Sequence, residues 1–390
     1  MSDIKLTPTQ LDAMLAIVDF LDNFDVKKKP FFILAGYAGC GKTTIISELV
    51  YNLKMYQTLS ECDTKKVAVA TLTWKAANVL RQRGLDKASS IHSLIYNAEK
   101  DPKTNEITFH RKSKIEIQKE FYLIIIDEAS MTDTSIRADL ATYEIPILYI
   151  GDSFQLPSIS KDEANFLANP DVQLTEILRQ ALDNPIIQLS MAIRQGQTKF
   201  PNCNVDNKVF IFAKKNVNDR WLLNADQVIV GYNKTRIAIN NKIRTLKGHD
   251  PATYPAKDEK LISLSNCREK GIFNGQAFTS VDDYSMQKLK PNEIKILKIQ
   301  SEDSESKPHL IRTIFTDHKT ADYTIPYKTK GEKELVQLAL GYTITTHKSQ
   351  GSQWPKVVVY NEMFGQTEEE KARWLYTSVT RSIEKLILLQ

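Results

Sequence analysis

The stretch "GYAGCGKTT", residues 36–44, concentrates three glycines, a lysine and two threonines. The spacing Gly36-x-x-x-x-Gly41-Lys42-Thr43 is that of a phosphate-binding loop. Its glycines, Gly36, Gly39 and Gly41, let the backbone wrap so that N–H groups of the loop, which also holds Cys40 and Thr44, face phosphate oxygens. Lys42 is spaced to reach the outer phosphates and Thr43 to hold Mg2+. Upstream, "FFILA" is strand-like. Downstream, "IISELVYNLK" repeats apolar residues at helical spacing, so a helix would aim its positive dipole end at the anion.

Such a loop needs a second metal residue from a neighbouring strand. "FYLIIIDEAS" is an apolar run of parallel-sheet type that ends in Asp127-Glu128. Carboxylates at the C-terminal end of a central strand project into the site crevice. Asp127 is the candidate for Mg2+, through water, and Glu128 for the general base that polarises the attacking water. Taken alone, the pair reads equally as a solvated turn after a core strand. A third strand, "IPILYIGDSFQLP", puts Gln155 at the same edge, to sense the γ-phosphate or the water, unless it is a loop glutamine facing solvent. Together these segments describe an α/β nucleoside-triphosphate hydrolase on a parallel sheet, using Mg2+.

Composition sets the bounds. The 390 residues suffice for two or three domains, and 42% hydrophobic with 25% charged residues is ordinary globular usage. A net charge of +5 and a pI near 8.7 permit nucleic-acid binding without requiring it. No apolar run reaches membrane-span length, and "MSDIKLTPTQ" has no signal-peptide core, so a cytoplasmic location is expected. Cys40, Cys62, Cys203 and Cys267 form no CxxC pair, and the six histidines show no ligand spacing; neither zinc nor a disulfide framework is expected.

The order of "GYAGCGKTT", "TLTWKAANVL", "SSIHSLI", "IIIDEAS", "GDSFQLP", "LTEILRQ", "GYTITTHKSQGS" and "LYTSVTRS" resembles superfamily 1 helicases of the RecD/Dda-like subgroup, over Gln10 to Arg381. "THKSQG" and "VTR" are its most specific parts. The resemblance implies two RecA-like domains with ATP in the cleft between them, and 5′-to-3′ movement on single-stranded DNA. It makes Gln10 the glutamine that recognises adenine and places Gly351 among the nucleotide-binding residues. Arg179 and Arg381 match the arginines that the second domain brings to the γ-phosphate; a surface ion pair is the alternative for each. Thr73, Ser90, His92, Thr346 and His347 stand in motifs that touch the strand in relatives, although both histidines could be structural. Two departures occur: Leu72-Thr73-Trp74-Lys75 replaces the usual Pro-Thr motif, and Ser158 stands where a second proline is common.

The expected organisation is a first RecA-like domain over 1–175 and a second over 176–250 and 335–390, with a small SH3-like β insertion at 251–334. Residues 97–120 are polar, and "EITFHRK" alternates as one arm of a hairpin. In this family an insertion here forms the strand-separating pin; a surface loop is the alternative. Phe109 is the only phenylalanine of 97–120, and an apolar ring on a polar hairpin makes it the residue expected to cap the fork. Trp74 and Lys75 are candidates for stacking on a base and for a phosphate contact, with core packing the competing role of the tryptophan. Asn233, Arg236 and Asn240 fall on the helix expected at the DNA side. The implied partners are single-stranded DNA and a DNA fork, leaving open single-strand-binding, replication or recombination proteins, with a monomer as the active form. An RNA helicase of the same superfamily and a P-loop switch protein that does not unwind remain the competing readings.

Overall fold

The computed structural model describes residues 6–52, 66–100, 107–157, 166–265, 267, 270, 272–288, 294–302, 308–315 and 335–390. Cys62 and Ser158 lie outside these, as do the side chains of Phe109 and Arg179. The chain divides into two compact units, Met1–Gln188 and Leu189–Gln390.

The first unit begins with α1 (Pro8–Asp22), β1 (Phe31–Gly36), α2 (Lys42–Asn52), β2 (Lys66–Thr71), α3 (Trp74–Gln82), β3 (Ser89–Ser90) and α4 (Ile91–Ile95). A hairpin of β4 (Tyr96–Lys100) and β5 (Ile107–Arg111) follows. Then come α5 (Lys114–Glu120), β6 (Phe121–Asp127), α6 (Thr134–Ala141), β7 (Ile147–Gly151), β8 (Val172–Leu174) and the short α7 (Arg179–Leu182). Helix α8 (Pro185–Arg194) carries the division between the units. The segment read as a pin at 97–120 is therefore two elements. The paired strands occupy 96–100 and 107–111, while 114–120 is a helix, because Ser113 and Glu116 close a capping box that starts it.

The sheet of this unit has the order β3-β2-β6-β7-β1-β8, with every pairing parallel. A parallel sheet is covered on both faces, so its central strands are apolar throughout. Strand β6 shows the division: Leu123 and Ile125 join one core cluster, Ile124 and Ile126 the other, and all four are fully buried. Burial of each such side chain stabilises by about 1.5–3 kcal/mol. The register decides what this core positions. Thr71 stands beside Asp127, and Ala35 beside Gly151, so the loops after β2, β6, β7 and β1 all leave the same edge.

The second unit comprises β9 (Cys203–Val205), β10 (Val209–Phe212), α9 (Asp219–Asn224), β11 (Gln227–Val230), α10 (Asn233–Leu246), β12 (Lys260–Ser263), β13 (Ala277–Ser280), β14 (Ile294–Ser301), β15 (His309–Phe315), β16 (Leu335–Leu340), β17 (Thr343–Thr345), α11 (Thr346–Ser349), β18 (Trp354–Tyr360), α12 (Glu368–Val379) and β19 (Ser382–Leu389). Its sheet runs β17-β11-β18-β19-β10-β9, parallel except for β9. Strands β12 to β16 form a closed barrel. Residues 335–340, read as resumption of the second RecA-like domain, thus close the barrel instead: Val336, Leu338 and Leu340 alternate into its core. A buried pair, Arg244 with Glu259 at 3.0 Å, ties α10 to the start of the barrel, and Arg244 also donates to the carbonyls of Thr253 and Tyr254.

Candidate nucleotide and nucleic-acid sites

Gly39 and Gly41 adopt φ of 83° and 81°, the left-handed region in which glycine carries no penalty. A Cβ on Gly41 would also collide with the Gln10 amide. The Lys42 ammonium donates to the carbonyls of Gly36 (2.7 Å) and Tyr37 (3.0 Å), so it is held across the loop mouth. Burial acts against its charge, but Cys40, Asp152, Glu128 and Asp127 outweigh this, and its pKa lies above the ordinary lysine value. Asp127, at the end of β6, is pushed up to about 7, first by burial and then by Glu128, with Lys42 and Arg83 opposing. Glu128 sits at φ 54°, a strained setting for a non-glycine residue. That turn sends its carboxylate inward, where Oε2 is buried without a hydrogen-bond partner, as is Oε1 of Gln155.

Two carboxylates, a lysine, a threonine hydroxyl and two unsatisfied buried oxygens at one sheet edge fit a nucleotide phosphate with a hard cation. Thr43 and Asp127 are the residues that would hold Mg2+. Among the described residues no cluster of three or more His, Cys, Asp or Glu forms a metal site of another kind.

Gln10 is buried and both ends of its amide are engaged: Oε1 accepts from Thr7 N (3.0 Å) and Nε2 donates to Cys40 O (3.2 Å). It closes the capping box of α1 while touching the phosphate loop. Each end keeps capacity for one further bond, a second N–H on Nε2 and a second lone pair on Oε1. Thr44 continues the loop into α2, its N–H donating to Gly41 O. Arg179 belongs to the first unit rather than the second, where the resemblance put it. The reason is packing: Leu178 N donates to Gly39 O at 3.1 Å, and Ile177 and Ala181 lie against Gly39.

In the second unit, Arg381 is 3% exposed, and its guanidinium donates to the carbonyls of Thr377 and Ser352 and to the Thr380 hydroxyl. Among the described residues it has no carboxylate partner. Gly351 takes φ 71° directly after Gln350.

The residues expected at DNA divide. Thr73 and Ser90 cap α3 and α4 with their hydroxyls. Trp74 is half-buried, with Arg81 over its ring at 4.1 Å, so one face is taken; Lys75 follows it on the same helix. His92 is exposed, its ring 5.5 Å from Tyr96. Asn233 is exposed and accepts from Arg236 at 3.1 Å. Arg236 is itself 3% exposed, and burial lowers its pKa to about 10. Asn240 is drawn away from solvent: its amide donates to the carbonyls of Leu340 and Thr343 and accepts from Thr343 N, which fixes β17. Thr346 is likewise buried, sharing its hydroxyl with Val230 O and Ser378. His347 is partly buried and its pKa lowered by that burial; its ring lies 5.7 Å from Phe364.

The structure adds residues not singled out from the sequence. Tyr232, 49% exposed, lies 5.0 Å from Phe364, and so joins His347 in one aromatic group. Glu362 fixes that group by accepting from the N–H of Gly231 and Tyr232 and from the Thr235 hydroxyl. Lys348 is exposed at its surface, and its pKa is lowered to about 8, first by desolvation and then by the nearby Arg236 cation. Arg83 reaches Thr43 from beyond the end of α3. Only Tyr232, next to Asn233, and Lys348, inside "THKSQG", carried a signal in the sequence.

The first unit is a P-loop nucleotide-binding domain by its sheet order and its loop. Residues 6–209 match the AAA domain family, and residues 340–389 match the UvrD-like helicase C-terminal domain. The first match spans more than half of the chain, which belongs to the AAA domain family. The chain is 24% identical over 351 residues to the ATP-dependent RecD2 DNA helicase of Deinococcus radiodurans, covering 84% of this chain and 42% of that protein. It is 26% identical over 439 residues to the uncharacterized protein MJ1519 of Methanocaldococcus jannaschii, covering 92% of this chain and 36% of that protein. The chain thus spans about four-tenths of the length of the curated relatives it matches. Among solved structures it is similar to Pif1 helicase in a study of unwinding at forked double-stranded DNA (TM-score 0.59, 19% identity, 99% of this chain and 92% of that one). It is also similar to Pif1 helicase from Bacteroides in complex with ADP-AlF3 and single-stranded DNA (TM-score 0.56, 18% identity, 99% and 92%). Both likenesses show the fold, an α/β architecture built on parallel sheets that the chain shares with those structures. Among the described residues no helix is long and apolar enough to cross a membrane.

Proposed function

We propose that the chain is an ATP-dependent DNA helicase that moves 5′ to 3′ along single-stranded DNA and opens duplex with little sequence preference. One observation carries the reading. Lys42, Thr43, Asp127, Glu128 and Gln155 collect at one sheet edge, with unsatisfied buried oxygens on the last two. The match to a UvrD-like helicase C-terminal domain and the likeness to RecD2 support helicase action rather than simple nucleotide binding.

Lys42 holds the β/γ-phosphates, and the loop N–H groups orient them. Mg2+, when bound, offsets the negative charge of the phosphates. Glu128 takes the proton of the attacking water, and Gln155 aligns that water. Arg381 supplies the cation for charge developing at the γ-phosphate; a buried guanidinium with carbonyl and hydroxyl partners keeps its charge available. Gln10 gives preference for adenine. Tyr232, His347 and Phe364 offer rings for bases, and Arg236 and Lys348 offer cations for phosphates, the combination that single-strand tracks use. The motif series supports the RecD/Dda-like subgroup, the β4–β5 hairpin is assigned as the strand separator, and the cytoplasm as the compartment.

The test is unwinding of matched duplexes carrying only a 5′ or only a 3′ single-stranded tail. Opening of the 5′-tailed duplex alone, with ATPase stimulated by DNA oligonucleotides, is expected. Preference for the 3′ tail overturns the direction. Equal stimulation by RNA moves the assignment to an RNA remodeller, and ATPase without any unwinding to a switch protein.

A further inference from the structure

We propose that Asp139 is a positioning residue that latches the base of the β4–β5 hairpin to the first unit and so fixes how the hairpin stands beside the DNA strand. The inference rests on the assignment of that hairpin as the strand separator.

Tyr96 and Arg111 are directly paired across the hairpin, at its base. Both end on one carboxylate of α6. The Tyr96 hydroxyl donates to Asp139 Oδ2, and Arg111 Nη1 donates to Oδ1 at 2.9 Å. Each oxygen of Asp139 therefore holds one strand. Beneath them, the buried Tyr143 hydroxyl lies 3.0 Å from Ile95 O and 3.3 Å from Lys112 O, the residues just outside the pair, and Lys112 N closes the ladder on Ile95 O. Burial, then the Asp139 bond and charge, pushes the Tyr96 phenol up to about 12, as an acceptor carboxylate against the hydroxyl would.

A two-stranded hairpin is marginally stable in water and takes its orientation from its anchors. Asp139 differs from the other anchor in kind. Tyr143 belongs to the core of the unit, whereas the Asp139 side chain is 32% exposed and, among the described residues, bonds only to the hairpin base. Its loss should leave the sheet and the phosphate loop intact. The same latch sets Tyr96, whose ring lies 5.5 Å from exposed His92 on α4. A hairpin free to tilt would stop presenting a fixed wedge to the second strand, and translocation would run on without opening duplex.

The test compares Asp139→Asn, Tyr96→Phe and Asp139→Glu in the full chain, by amide hydrogen exchange, thermal melting, DNA-stimulated ATPase and unwinding of a forked duplex. In Asp139→Asn, exchange over 96–111 should rise about tenfold, the scale of one lost charge-assisted hydrogen bond. Exchange over 36–52 and the melting temperature should stay as in the parent. Unwinding should fall several-fold with ATPase within about twofold. Tyr96→Phe should behave alike, the double variant should be no worse than either single one, and Asp139→Glu should recover part of the loss. Unchanged exchange over 96–111 overturns the latch. A lower melting temperature with equal losses of ATPase and unwinding also overturns it, because Asp139 would then be a folding residue. Faster exchange with full unwinding upholds the latch and removes the hairpin from the strand-separating role.

Discussion

Arg83 donates from its guanidinium to the hydroxyl of Thr43 at 3.4 Å. A cation from the end of α3 thus reaches the oxygen that would ligate Mg2+, and it also bears on Asp127. A guanidinium and a divalent cation compete for that oxygen and repel one another. Arg83 is exposed, so solvent screens the effect and keeps it small. Arg83→Gln should lower the Mg2+ concentration that half-saturates nucleotide binding by about threefold, a change of well under 1 kcal/mol. Titrating Mg2+ against a fluorescent ATP analogue measures this. A higher Mg2+ requirement in the variant would mean that Arg83 holds phosphate instead.

The elevated Asp127 has a pH consequence of definite sign. Its folded pKa of about 7 exceeds the 3.8 of a free carboxyl, so between these values the folded protein holds a proton that the unfolded chain releases. The contribution of this group to stability is full below the lower value and is lost as pH rises towards 7. A cation needs the carboxylate, and affinity for Mg2+-nucleotide should therefore climb between pH 6 and pH 8. Binding calorimetry at both pH values should show that slope in the parent and a flatter one in Asp127→Asn. An equal slope in the variant places the proton on another group.

Arg381→Ala should retain nucleotide binding and lose hydrolysis by a factor on the order of 10³, the range found for arginines that act on the transferred phosphoryl group. Arg381→Lys should recover little, since the three bonds to Thr377, Ser352 and Thr380 use the planar fork. Single-turnover hydrolysis beside equilibrium nucleotide binding separates the two effects. Parallel losses in both would make Arg381 a ground-state ligand.

How much of this was legible in the sequence depends on the range of the interaction. The phosphate loop and the Asp127 strand could be read because their chemistry is local: glycines at fixed offsets, a continuous apolar run, a polar end. Arg179 went to the wrong unit because a motif fixes order along the chain, while the contact of Leu178 with Gly39 spans 139 residues of it. Asn240 and Thr346 looked available as polar residues near basic ones. Their amide and hydroxyl are used by backbone carbonyls of other elements, which no spacing rule reports. Residues 335–340 alternate as a strand in either assignment, and only pairing with β12 and β15 puts them in the barrel. The same limit hid Asp139, a surface helix aspartate whose partners lie 28 and 43 residues away.

The two candidate stacking rings should behave differently. Trp74 gives one face to Arg81, whose own Nε is bound to Ala88 O at 2.7 Å, so that ring is braced from the protein side. Tyr232 is 49% exposed and its ring lies tilted at 55° to that of Phe364, held by the Glu362 bond to its N–H. Base stacking contributes about 1–3 kcal/mol per ring and releases no counterions, so its loss persists at high salt. Tyr232→Ala should weaken oligo-dT binding within that range at both low and high salt, with the melting temperature unchanged. Trp74→Ala should weaken binding and also lower the melting temperature by a few degrees, because the Arg81 packing goes with the ring. Fluorescence anisotropy at two salt concentrations, with a melting curve for each variant, distinguishes them. Undiminished oligo-dT affinity in Tyr232→Ala would remove the Tyr232–Phe364–His347 group from the strand path and leave Trp74 as the ring to examine.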